Sequence, residues 1–81
     1  MKQILYILKH PDPFIIELIE HQQQEASVEV ILTHDTVLPQ IKNALPVFVL
    51  EANNNLYKRY PPISYKQMLE KIFRADTIVT V

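Results

Sequence analysis

The chain has 81 residues and a mass of 9.5 kDa, which gives room for one domain; a chain of this size buries only about 60% of the surface its unfolded form exposes. Hydrophobic residues make up 48% and charged residues 21%, with a formal net charge of -1, a balance that excludes an acidic disordered tail and an overall basic nucleic-acid binder. Cysteine and glycine are both absent, so disulfides, thiolate ligands and sulfur carriage by the chain itself are excluded, as are the glycine loops that cradle phosphates.

Ile4-Leu5-Tyr6-Ile7-Leu8 is a continuous apolar run bounded by Lys9-His10-Pro11 and predicts a strand covered on both faces. Five apolar residues are far too few for a signal-peptide core or a membrane span, and a cytoplasmic protein is expected. Asp12 followed by Pro13 is a helix start, with Phe14, Ile15, Leu18 and Ile19 as the apolar stripe of a first helix running to about Glu25. His21 falls in the last turns of that helix, where an imidazole complements the helix dipole. Val28-Glu29-Val30-Ile31-Leu32 predicts the second strand, and Val37, Leu38, Ile41, Ala44 and Leu45 then recur at helical spacing, with Pro39 in the first turn.

Pro46 breaks the chain before Val47-Phe48-Val49-Leu50, the third buried strand, and Asn53-Asn54-Asn55 supply a turn in place of glycine. Residues 56–60 suit a single helical turn, stopped by Pro61-Pro62. Ser64 and Gln67 form a capping box, stapled by Ile63 and Met68, for a helix that starts at Tyr65 and carries Met68, Leu69, Ile72 and Phe73 as its stripe. Thr77-Ile78-Val79-Thr80-Val81 predicts a last short strand. Strands alternating with helices imply a small doubly wound α/β domain with a mostly parallel four-stranded sheet and helices on both faces.

Several of these segments together resemble the DsrE-like superfamily, in its DsrH or TusB branch. Val47-Phe48-Val49-Leu50-Glu51 with its polar turn, Leu56 and Arg59, Ile63-Ser64-Tyr65, Met68-Leu69 and Ala75-Asp76-Thr77-Ile78-Val79 are similar to that branch's third strand, turn, helix and closing strand. Ile31-Leu32-Thr33-His34-Asp35-Thr36-Val37 and the opening strand with His10-Pro11 resemble its upstream segments. The asparagines at 53–55, Tyr60 and Val81 depart from the family pattern, and the superfamily's sulfur-accepting cysteine has no counterpart. The resemblance implies a flavodoxin-like fold and a non-catalytic scaffold subunit of a sulfur relay, serving tRNA 2-thiouridine modification or sulfur oxidation. It also implies a homo-oligomer, or a hetero-oligomer with cysteine-bearing DsrE-like or DsrF-like subunits.

The residues themselves offer two candidate surfaces. His10, His34, Asp35 and Glu51 follow the carboxyl ends of three predicted strands, where doubly wound sheets bind ligands, and are the candidates for a stand-alone small-ligand or metal module. Asp12, Asp35 and Thr36 suit helix caps better, and the histidines solvated loop positions, since no His-x-x-x-His or Glu-x-x-His spacing accompanies them. Tyr57, Arg59, Tyr60 and Tyr65, with Lys58 and Lys66 among them, form a basic aromatic patch that suits a subunit interface better than an RNA surface, because three cations give a weak electrostatic footprint. Ser27 and Ser64 are the only serines, Ser64 is committed to capping, and adjacent His34 and Asp35 on a strand would point apart. No enzyme activity, cofactor or membrane association is expected. A thin core without cysteine points instead to stabilisation by oligomerisation.

Overall fold

In a computed structural model the described residues are 2–9, 12–33, 45–50 and 60–80. They form five strands and two helices: β1 (Gln3–Leu8), α1 (Pro13–Gln22), β2 (Ser27–Leu32), β3 (Val47–Leu50), β4 (Pro62–Ile63), α2 (Tyr65–Arg74) and β5 (Thr77–Thr80). All strand pairs are parallel, in the order β4-β3-β2-β1-β5. The chain steps outward from β1 to β4 and then returns through α2 to the far side of β1. Right-handed crossovers in opposite directions place their helices on opposite faces, which is the doubly wound arrangement that the alternation of elements implies.

Both helix starts follow their local chemistry. The Asp12 carboxylate accepts from the Ile15 N–H at 2.9 Å, with Pro13 opening α1. At α2 the Ser64 hydroxyl accepts from the Gln67 N–H at 3.2 Å, and Gln67 Oε1 accepts from the Ser64 N–H at 2.9 Å. Ser64→Ala is expected to cost about 1 kcal/mol in urea unfolding, while Ser64→Asp, which keeps the acceptor, stays within a few tenths of the parent.

The sheet divides the core unequally. On the α1 side, Ile4, Tyr6 and Leu8 of β1 and Val28, Val30 and Leu32 of β2 pack with Ile15, Ile16 and Ile19 into a cluster of eleven buried residues. On the α2 side the buried cluster among the described residues is smaller, Leu5, Ile31 and Ile63, with Ile7, Phe48, Met68 and Ile72 half-buried around them. Alternation along β1 and β2 produces this split, since successive side chains point to opposite faces.

Three features differ from the sequence reading. The sheet has a fifth strand, β4, two residues long and paired to β3, formed by Pro62 and Ile63. Phe14, expected on the first helix's apolar stripe, is 72% exposed, and Ile16 is buried in the cluster instead. On α2, Met68 and Ile72 face the sheet, whereas Leu69 and Phe73 are 49% and 84% exposed. The segment carrying Val37, Leu38 and Ile41 and the turn at 56–59 lie outside the described residues.

Tyr6 is fully buried, as expected for a core aromatic, and its hydroxyl donates to Gln22 Oε1 at the end of α1. Burial pushes its phenol above the ordinary tyrosine value. The folded state therefore holds this proton at alkaline pH where the unfolded chain releases it, so stability falls as pH rises above about 10, the unfolded value. Chemical denaturation across an alkaline series is expected to show that decline, with a shallower slope in Tyr6→Phe.

Candidate functional site

The carboxyl ends of β1, β2 and β3 lie side by side, Leu8 opposite Leu32 and Leu32 opposite Val49. Thr33 binds the end of β2 to β1, its N–H donating to the Leu8 carbonyl at 3.1 Å and its hydroxyl to the same oxygen at 3.4 Å. His10, His34, Asp35 and Glu51 follow these three ends in sequence, and all four lie outside the described residues. The sheet order does locate where the strand sequence reverses, between β1 and β5. Of the four, only His10 follows a strand bordering that reversal; β3, which precedes Glu51, stands two strand spacings, about 10 Å, from β1. Asp12 is committed to its cap.

Among the described residues, no group of three or more His, Cys, Asp or Glu side chains is placed to hold a metal ion. No helix among them is long and apolar enough to cross a membrane.

Of the interface candidates, Tyr57 and Arg59 lie outside the described residues. Tyr60 is half-buried and packs against the α1-side core, while Tyr65 opens α2 on the other face and is 63% exposed. The sheet thus separates these two tyrosines, and they do not share a patch. Tyr65 joins Leu69 and Phe73 instead, at four-residue steps that align all three along α2.

A constellation that the sequence reading did not single out lies beside α2. Lys71 Nζ is 2.7 Å from Glu29 Oε2 and 4.4 Å from the centroid of the Phe48 ring. The pair borders a small surface recess of about 80 Å³ whose walls include Gln3, Ser27 and Arg74, at the amino ends of β1 and β2. The signal was present in the sequence: Glu29 interrupts an apolar strand, and alternation turns it away from Val28 and Val30 toward α2. Both side chains are partly exposed, and the cation is already satisfied by a carboxylate and a ring, so the geometry braces α2 against β2 and β3. The recess lies at the carboxyl end of α2, where the helix dipole disfavours an anionic ligand. Among the described residues Ser64 caps α2, and His21, the one histidine described, is on α1.

Comparison with models of known protein families, with curated proteins and with solved structures found no match.

Proposed function

We propose that the protein is a non-catalytic, oligomer-forming subunit whose work is done through its surfaces, of the kind that completes a DsrE-like sulfur-relay complex around cysteine-bearing partners. The observation that carries the reading is α2: half of its apolar stripe, Leu69 and Phe73 with Tyr65, faces outward instead of into the core. A solvent-facing aromatic and aliphatic row on a chain of this size suits a contact surface, since aromatic residues are enriched in protein interfaces. Cysteine is absent from the sequence, so in such a relay the sulfur would pass between partners. The resemblance of residues 47–51 and 63–79 to the DsrH branch supports the choice of pathway.

Light scattering on the purified chain, alone and after mixing with lysate of the source organism, tests this. Expected are an oligomer for the isolated chain and, in the lysate, a larger complex whose co-purifying chains are of similar size and carry cysteine. An oligomer that gathers no such chains would remove the sulfur-relay part, and a monomer that gathers none would remove the whole reading.

A further inference from the structure

The sheet has two edges, and they are not equivalent. At the β4 edge, the Val49 N–H donates to the Pro61 carbonyl at 3.0 Å, so Pro61 faces inward and the backbone of Pro62 faces outward, where proline has no N–H to offer. At the other edge, β5 pairs only with β1 among the described residues, and its four residues, Thr77, Ile78, Val79 and Thr80, include no proline and no charge. An uncharged, unblocked edge is a template for another strand.

The exposed stripe of α2 adjoins that same edge. Ile78 stands opposite Leu5 in register, and Leu5 belongs to the α2-side core, so Ile78 also points to the α2 face, where it is 42% exposed. Gln67, Glu70, Lys71 and Arg74 border the recess over Phe48 and Ile63, on the flank of α2 toward β3 and β4. With 3.6 residues per turn, Tyr65 and Leu69 fall on the opposite flank, toward β5. Edge strand and apolar stripe therefore form one continuous face.

We infer that this face is covered by a second copy of the chain, docked about a two-fold axis perpendicular to the sheet, with β5 antiparallel to β5 of its partner. This inference rests on the oligomer reading above and names its surface. Two five-stranded sheets join into one, and the axis keeps both α2 helices on the same side. If each helix sits over β1, their axes run about 14 Å apart, three strand spacings, a gap that Tyr65, Leu69 and Phe73 fill from the sides and Ile78 from below.

Area and charge favour a self-complementary partner. Phe73 and Tyr65 alone expose on the order of 300 Å². The roughly 800 Å² per partner of a standard interface is approached by adding Leu69, Ile78, the β5 backbone and the stems of the flanking charges. Tyr65, Leu69, Phe73 and the four residues of β5 carry no charge, so the face selects neither a basic nor an acidic partner.

The test is solution mass by light scattering for the parent chain and three variants, with circular dichroism confirming that each is folded. Ile78→Lys charges the edge, Phe73→Glu charges the stripe, and Phe14→Glu charges an exposed aromatic on the opposite face. Expected is a dimer for the parent and for Phe14→Glu, and half that mass for Ile78→Lys and Phe73→Glu at the same concentration. A monomeric parent would overturn this inference, and the oligomer reading falls with it only if the chain also gathers no partner from the lysate. An oligomeric parent whose mass survives Ile78→Lys and Phe73→Glu, or is lost in Phe14→Glu, would overturn this surface and leave the oligomer reading standing.

Discussion

Tyr6→Ala is expected to lower the free energy of unfolding by about 3–5 kcal/mol, the range for removing a buried aromatic from a core. Tyr6 is fully buried in β1 between β2 and β5, inside the larger of the two clusters, and its hydroxyl is paired to Gln22. Alanine there leaves a cavity that strands paired on both sides cannot close, and it leaves the Gln22 amide without its donor. A chain of 81 residues has on the order of 4–12 kcal/mol of stability in all, so the loss takes a large share and produces a partly unfolded population in water. Urea unfolding followed by far-ultraviolet circular dichroism measures it. Tyr6→Phe, which keeps the ring, is expected to cost about 1 kcal/mol, and the difference between the two variants separates packing from the hydrogen bond.

Ile31→Ala is expected to cost about 2–4 kcal/mol, and its consequences differ in kind. Ile31 is fully buried in the central strand β2, but on the thin face, where α2 contributes only half-buried residues. A helix held by Met68, Ile72 and the Glu29–Lys71 contact detaches more easily than the remainder of the sheet unfolds. Hydrogen exchange is the informative measurement: the α2 amides should lose protection before those of β1 and β2, giving two stability levels where the parent shows one. A uniform loss of protection would mean that α2 and the sheet form one cooperative unit.

The local signals in the sequence carry through to the fold with little change. β1, β2, β3 and β5 arise from apolar runs, and both helices start at caps whose partners lie three residues away, so their geometry depends on nothing distant. What periodicity does not contain is the width of the surface a helix will cover. Leu69 and Phe73 share the stripe of Met68 and Ile72, yet only one side of that stripe finds the sheet, the side next to Lys71, whose side chain reaches Glu29 of β2 and the Phe48 ring of β3. Phe14 is exposed for a similar reason: the face of α1 turned to the sheet centres on Ile15, Ile16 and Ile19. Strand order is likewise a tertiary property, absent from apolar runs that define strands without pairing them. β4 escaped notice because two residues, one of them proline, give no alternation to read. For the ligand candidates, the structure supplies the three adjacent strand ends that precede His10, His34, Asp35 and Glu51, and the reversal point that favours His10 among them.

The proline at the outer edge of β4 sets a limit on growth. A sheet that accepted strands at both edges would let each added copy expose a fresh edge for the next, and the product would lengthen with concentration toward a fibre. In the proposed dimer, with Pro62 withholding its donor on one side, joining at β5 would use up the one receptive edge among the described residues of each copy, and nothing further would add. Average mass should then level off at a fixed value as concentration rises. In that dimer one imino acid in a two-residue strand would make the difference between an assembly that terminates and one that propagates.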